Sequence, residues 1–363
     1  MEGNFIRMPP TIKYTKNIWD TNYTEIIDVR SPSEFYHDHI PGSINLPVLD
    51  DNERVEVGNI YKKNSPFQAR KIGAALVTKN VSQHLIKYFA NKDKDYFPLV
   101  YCWRGGQRSA SMAAVLSQIG WQVVILLGGY KTYRSYVRQA LEDLPNRFNY
   151  RVISGLTGSG KTLILRQLSQ RGAQVLDLES LANHRGSLLG EIWSNESLPQ
   201  PSQKYFETLI VQQLQKFHSH QIVWVESESS KIGRVYLPIH LWRKMHISNC
   251  MQIQVPLDVR VSFIIQEYPH LVNNPDILKA KIARLKSRYG SNTISDWNNL
   301  ITSSDPHEFV KSILQSHYDP AYFKSLKNNY LKIKPTLYLE NLSIPTIENL
   351  VDYLIHYNDN VLC

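Results

Sequence analysis

Nine consecutive residues, Tyr101-Cys102-Trp103-Arg104-Gly105-Gly106-Gln107-Arg108-Ser109, place a thiol among groups that favour negative charge. The apolar run Pro98-Leu99-Val100-Tyr101 leads in and reads as a buried strand, and the small-residue run Ser109–Leu116 leads out as a helix. Cys102 therefore stands where a strand ends and a helix begins. Gly105 and Gly106 open backbone angles that other residues avoid. Successive N–H groups in such a loop form an anion-binding nest, and the helix N-terminus adds partial positive charge. Arg104 and Arg108 add full charges. A thiol held there ionises more easily, and the thiolate is the nucleophile. An isolated cysteine is usually a small core hydrophobe; here the flanking pattern argues for reactivity toward an anionic substrate.

A second constellation follows the strand-like run Tyr150–Ser154. Gly155-Leu156-Thr157-Gly158-Ser159-Gly160-Lys161-Thr162 is the Gly-x4-Gly-Lys-Thr phosphate loop, and the helical run Leu163–Leu168 comes next, the setting the motif requires. Gly155, Gly158 and Gly160 let the backbone wrap a phosphate chain, with Ser159 in the turn. Backbone N–H groups and the helix N-terminus hold the charge. Lys161 reaches the terminal phosphates, and the Thr162 hydroxyl is placed to bind Mg²⁺. Two strands, Ala173–Asp177 and Gln221–Glu226, end in an acid. Either Asp177 or Glu226 is a candidate to hold magnesium through water, with Glu226 preferred because Ser227-Glu228-Ser229 makes that strand end a polar cluster. Arg185, in His184-Arg185-Gly186-Ser187, and the loop Pro199–Gln203 are candidates to line the pocket.

Strands alternating with helices position both loops at strand ends. The pattern predicts a mostly parallel α/β sheet, in which ligands bind at the carboxyl ends of strands. Glu25–Arg30 reads as a strand, Ser31-Pro32-Ser33-Glu34 as a helix start, about 65–90 as helix and Gln122–Leu127 as a further strand. The pattern restarts after Leu144-Pro145-Asn146. Three segments follow: 12–140, 148–270, and a mainly helical extension over 271–363. In that extension Ile277, Leu278, Ile282, Leu285 and Tyr289 share one side of a helix, while Lys281, Arg284 and Arg288 form a basic face with Lys279 and Lys286 beside it. Tyr318, Tyr322 and Phe323 interleave with Lys324 and Lys327. A basic face next to aromatics is what an RNA contact uses.

The 363 residues carry 41 Lys and Arg against 32 acids, a net charge of +9, which suits a polyanionic partner. Cys102, Cys250 and Cys363 lie far apart, without metal-type spacing, and fit a reducing cytoplasm. Cys250 reads as strand core. His37 and His39 lack further ligands to complete a metal set. The first residues, Met1–Arg7, lack the apolar run of a signal peptide. No stretch approaches the ~20 apolar residues of a membrane helix, so no membrane partner is expected.

Asp28-Val29-Arg30, Glu34-Phe35, His39–Asn45, the Cys102 loop and Leu127-Gly128-Gly129-Tyr130 together resemble a rhodanese domain over roughly residues 12–140. That family carries sulfur or selenium on a loop cysteine. The Cys102–Arg108 spacing is one residue longer than the usual rhodanese loop and resembles that of dual-specificity phosphatases and arsenate reductases. A larger loop holds a larger tetrahedral anion. The overall expectation is an N-terminal rhodanese-like α/β domain, then a P-loop NTPase-like α/β domain with a helical C-terminal part.

The pairing of the two loops, with His184–Ser187, Glu226–Ser229, Lys231-Ile232-Gly233 and Tyr318–Tyr322, is similar to the bacterial tRNA 2-selenouridine synthase family along nearly the whole chain. The resemblance implies a cytoplasmic transferase acting on glutamate, glutamine and lysine tRNAs that carry 2-thiouridine at the wobble position. It implies two steps: geranyl diphosphate alkylates the thiocarbonyl sulfur, and selenium from selenophosphate then displaces the geranyl thiol; the route of the selenium is expected to run via Cys102. These are co-substrates; no tightly bound metal or cofactor is implied, with Mg²⁺ a candidate ion and a selenophosphate-synthesising enzyme a candidate partner. The alternative is a phosphatase- or reductase-like thiol domain fused to a small-molecule kinase. A regulatory protein whose nucleotide domain gates a chalcogen-binding module is a third reading. Trp103 and Arg104, which crowd the nest, weigh against phosphatase work.

Overall fold

A computed structural model describes residues 11–19, 21–186, 189, 199–269, 273–329 and 333–357, with the backbone alone at 325–329, 333 and 334. Met1–Arg7, Ser187, the Lys327 side chain and Cys363, all raised by the sequence, lie outside the described residues. The chain divides into two compact units, Met1–Ala140 with Glu207–Leu209, and Leu141–Phe206 with Ile210–Cys363.

The first unit is a five-stranded sheet of parallel strands in the order β1-β5-β4-β2-β3. These are β1 Lys13–Thr15, β2 Glu25–Asp28, β3 Ser43–Asn45, β4 Pro98–Tyr101 and β5 Val124–Leu126. Helices α1 Pro32–His37, α2 Asp51–Lys63, α3 Pro66–Lys87, α4 Gln107–Ile119 and α5 Tyr130–Asp143 connect or follow them. β4 is the middle strand, and all four of its residues are buried, as its unbroken apolar run requires. α1 starts as its sequence dictates, with Ser31 at the N-cap, Pro32 first and Glu34 closing the capping box. α2 is an addition to the sequence reading, set off by a second capping box between Asp50 and Glu53. β5 is shorter than the expected 122–127, although the Val123 carbonyl still accepts from the Lys13 N–H of β1 at 3.0 Å.

The second unit is again a five-stranded parallel sheet, in the order β12-β11-β6-β8-β7. β6 Asn149–Gly155 is central and runs into α6 Lys161–Gln170. β7 Gln174–Leu176 precedes α7 Leu178–Ala182, and α8 Gln203–Gln215 leads to β8 Ile222–Glu226. Lys231–Ile232 and Val235–Tyr236 form a short antiparallel pair, β9 and β10. α9 Ile239–His246, β11 Asn249–Gln254 and α10 Leu257–Glu267 follow. The last part comprises α11 Pro275–Ala283, α12 Lys286–Thr302, α13 Pro306–Ile313, a π-helical turn Leu314–Tyr318, α14 Asp319–Asn329, β12 Ile333–Tyr338 and α15 Ile344–His356.

Two expectations for the C-terminal segment change. The boundary at 270/271 does not separate compact units: β12 pairs with β11, and Ile347, Leu350, Val351 and Leu354 of α15 complete the apolar core under β6 and β11. The basic helix face is also interrupted. Lys281 is buried beside Leu278 and Ile282, so only Arg284, Lys286 and Arg288 stay exposed there, while Ile277 is turned outward.

Candidate active sites

In the first unit, Cys102 follows β4 directly and is only 3% exposed. Its sulfur accepts a hydrogen bond from the Gly106 N–H at 3.3 Å and lies 3.3 Å from the Ser109 hydroxyl, whose one proton serves either the sulfur or the Gly106 carbonyl 3.1 Å away. α4 begins one residue after Gly106 without a side-chain cap, so its first N–H groups remain available to an anion. The tight wrap rests on two glycines. Gly105 (φ 65°) and Gly129 (φ 58°) adopt left-handed backbone, and a Cβ on either would collide with the Leu126 or Cys102 carbonyl respectively. The Gly128-Gly129-Tyr130 turn therefore lies backbone to backbone against the thiol loop, with the Tyr130 N–H donating to the Cys102 carbonyl at 2.8 Å.

Burial opposes ionisation of Cys102, but the Ser109 hydroxyl, the backbone N–H groups of Ser109 and Arg104 and the Arg108 charge outweigh it, and the thiol sits below its ordinary pKa. Arg108 is fixed by Glu34 at 2.8 Å, and Arg54 meets the same carboxylate at 2.9 Å. Glu34 is half-buried, which opposes its ionisation, and the two arginines hold its carboxyl below the usual range. Glu34 was legible as a helix-start acid and became a site residue only through this ion pair. Arg104 and Gln107 are exposed at the loop rim, and Trp103 leans on Tyr130 with ring centroids 5.1 Å apart. Beneath the loop, buried Arg30 pairs with Asp28 at 2.5 Å, donates to the Asp38 carbonyl at 2.7 Å and stacks 4.1 Å over Tyr130. This satisfied network explains why Asp28, Arg30 and Asp38 are buried without forming a site of their own.

In the second unit, Gly155–Thr162 joins β6 to α6, and Gly158 (φ 83°) and Gly160 (φ 76°) take the left-handed angles of the wrap. A cavity of about 420 Å³ opens over the loop. Lys161 reaches into it, donating to the Gly155 carbonyl at 2.9 Å and pairing with Glu226 at 3.4 Å. The Thr162 hydroxyl donates toward Glu179 at 3.2 Å and Glu226 at 3.4 Å. Oxygens of Glu179, Glu226 and Glu228 lie within 4.8 Å of one another. Burial raises all three; repulsion by Glu226 helps bring Glu179 to about 9 and Glu228 to about 8, while Glu226 is raised by burial and by the Asp177 charge with Lys161 opposing. Burial pulls Lys161 down, yet the surrounding acids win and keep it above its ordinary value, hence charged.

Of the two acids offered for magnesium, Glu226 lines the cavity and Asp177 does not. The Asp177 carboxylate accepts from the Ser180 N–H at 2.8 Å and caps α7, which holds it at that helix end. Arg185 lines the cavity, tied to Glu267 and resting 4.7 Å over the Tyr268 ring. The sequence reading missed Glu179, whose only signal was its place two residues past a strand end. It also missed the part played by Tyr322: the Gly155 N–H donates to its hydroxyl at 2.7 Å, and Ser227 meets the same oxygen at 2.9 Å. Arg260 holds Asp319 through two hydrogen bonds of 2.9 and 2.8 Å and donates to the Thr157 carbonyl at 3.2 Å, tying α14 to the phosphate loop.

A thiol on a strand–loop–helix turn of one parallel sheet, joined to a unit that carries a phosphate-loop motif, defines a two-domain α/β protein. Residues 12–136 match the rhodanese-like domain, and residues 148–336 match the AAA domain of tRNA 2-selenouridine synthase. Curated relatives agree. The tRNA 2-selenouridine synthase of Bdellovibrio bacteriovorus is 32% identical over 360 residues, covering 88% of this chain and 93% of the relative. That of Nitrosomonas europaea is 30% identical, with coverages of 84% and 89%, and that of a Sulfurovum strain 34%, with coverages of 80% and 75%. The chain belongs to the tRNA 2-selenouridine synthase family, and is a tRNA-modifying enzyme. No helix among the described residues is long and apolar enough to cross a membrane.

Proposed function

We propose that the enzyme replaces the sulfur of wobble 2-thiouridine in glutamate, glutamine and lysine tRNAs by selenium in two steps divided between its units. In the first, the thiocarbonyl sulfur attacks C1 of geranyl diphosphate; the C1–oxygen bond breaks and diphosphate leaves. The phosphate loop, Lys161 and the α6 N-terminus hold and neutralise that leaving group. In the second, selenium supplied by selenophosphate attacks C2 of the base. A C2–selenium bond forms, the C2–sulfur bond breaks and geranyl thiol departs with a proton; water then takes the phosphoryl group, the phosphorus–selenium bond breaks and phosphate leaves. Alkylation makes this exchange feasible, since it converts a poor leaving group into a neutral thiol.

The Cys102 loop is the site proposed for the selenium donor. Selenophosphate is a tetrahedral anion, and the uncapped α4 N-terminus beside a thiol with lowered pKa suits both its charge and its chalcogen. Mg²⁺ fits the second unit, where Thr162, Glu226 and Glu179 offer hard oxygen ligands. When bound it would neutralise diphosphate charge. The observation carrying the reading is that the two anion sites differ in kind: one has a thiol at its centre and the other a lysine with three carboxylates.

The deciding experiment is mass spectrometry of nucleosides from 2-thiouridine tRNA incubated with the protein, geranyl diphosphate and Mg²⁺, with and without selenophosphate. Geranylthiouridine is expected first, and selenouridine only with selenophosphate. Unchanged tRNA with consumption of a nucleotide would favour the kinase–phosphatase alternative.

A further inference from the structure

A second cavity of about 210 Å³ opens beside the phosphate-loop cavity in the same unit. The two share Thr157, Ile264, Tyr268 and Tyr318 as walls, so they are neighbours with these side chains at their boundary. Beyond that junction the lining turns apolar, with Leu278 of α11, Ile301 of α12 and Phe309, Val310 and Ile313 of α13. Asp305, at its edge, is engaged as the N-cap of α13 through the Glu308 N–H at 3.0 Å. Protein interiors are close-packed, with few voids larger than a water molecule. An apolar space of this size, sharing a wall with an anion site, suits an amphiphile with a phosphorylated head and a hydrocarbon tail.

We infer that this cavity, walled by α10, α11 and α13, is the hydrocarbon subsite of the phosphate-loop site and that its volume sets the tail length at about ten carbons. The inference rests on the geranyl diphosphate reading above and deepens it. The head binds over Lys161, the first carbons pass between Thr157 and Tyr318, and the second isoprene unit lies against Val310 and Leu278. A six-carbon ring fills an apolar cavity of roughly 150 Å³. A space of about 210 Å³ therefore takes the distal part of a ten-carbon chain but not a further isoprene unit. Phe309 and Ile313, 4% and 2% exposed, are buried walls of that volume.

The test is calorimetric titration of the full chain, in Mg²⁺, with inorganic diphosphate, dimethylallyl diphosphate, geranyl diphosphate and farnesyl diphosphate. Burying the second isoprene unit is expected to make geranyl diphosphate bind about 10²–10³-fold more tightly than dimethylallyl diphosphate. Farnesyl diphosphate is expected to gain nothing further. Val310→Phe and, independently, Leu278→Phe should erase most of the geranyl advantage while leaving inorganic diphosphate affinity within twofold, which also verifies folding. Phe309→Ala should improve farnesyl relative to geranyl diphosphate at least tenfold. Equal affinity of the wild type for dimethylallyl and geranyl diphosphates would overturn the subsite, as would unchanged ratios in both filling variants. In those cases diphosphate still binds and the functional reading survives. Failure of inorganic diphosphate to bind the wild type would sink the phosphate-loop assignment and the subsite together.

Discussion

Arg260→Met is the perturbation that most directly probes how the phosphate loop is held. The guanidinium is 4% exposed, makes two hydrogen bonds of 2.9 and 2.8 Å to Asp319, and donates to the Thr157 carbonyl at 3.2 Å. Methionine keeps the packing of the stem but leaves the Asp319 carboxylate, 15% exposed, without its counter-charge and the Thr157 carbonyl without its donor. Breaking such a buried pair from one side costs about 3–5 kcal/mol, and the residual solvent access of Asp319 places this case near 3. Arg260→Met with Asp319→Leu removes both charges together and should return to within about 1 kcal/mol of the wild type. Because the chain has two units, the readout is hydrogen–deuterium exchange of peptides from β6 and β11 across a denaturant series, which isolates the second unit. α14 also carries Tyr322, which accepts from Gly155, so inorganic diphosphate affinity of Arg260→Met should fall as well. A cost below about 1 kcal/mol, or strictly additive single and double variants, would refute the reasoning that this pair anchors α14 to the loop.

Further outcomes follow from the same geometry. Lys161→Ala should abolish geranylation in the nucleoside assay; retained geranylation would remove Lys161 from the diphosphate site. Cys102→Ala should block selenation and leave geranylation intact, and loss of both would mean the units do not divide the labour. The lowered pKa of Cys102 means that its thiolate persists at a pH where an ordinary thiol is protonated, so iodoacetamide labelling mapped to its peptide should reach half-maximal rate at lower pH than a free cysteine. Arg108→Ala or Ser109→Ala should move that midpoint upward, whereas Cys250, pushed up to about 11 by burial, labels only in strong alkali. An unmoved Cys102 midpoint in both variants would show that neither the Arg108 charge nor the Ser109 hydroxyl stabilises the thiolate.

The local constellations were open to sequence reasoning because their chemistry is written in contiguous residues. The strand–Cys102 loop–helix and the strand–Gly155 loop–helix each follow from a short apolar run, glycines at sharp turns and a helix start, all within about fifteen positions. The capping box at Ser31 was legible for the same reason. Where a reading failed, the deciding partner was distant in the chain. Lys281 matched a solvated basic face by helical spacing, yet it packs inward beside Leu278 and Ile282. Asp177 and Glu226 are alike as strand-end acids, and they were separated only by the Ser180 cap on one and the cavity around the other.

The sequence by itself determined the two anion loops, the parallel α/β class and the family, since each depends on residue type at fixed short spacing. Tertiary structure decided the rest. It made Glu34 the partner of Arg108 across 74 positions and brought Tyr322 to Gly155 across 167. It returned β12 to the sheet that β6 began, and left an apolar cavity among α10, α11 and α13 that no hydrophobic periodicity distinguishes from core. The physical reason is the same throughout: burial, ion pairing and cavity shape depend on which distant segments the sheet and its packed helices bring together, and a linear pattern records only a side chain's capacity for such contacts.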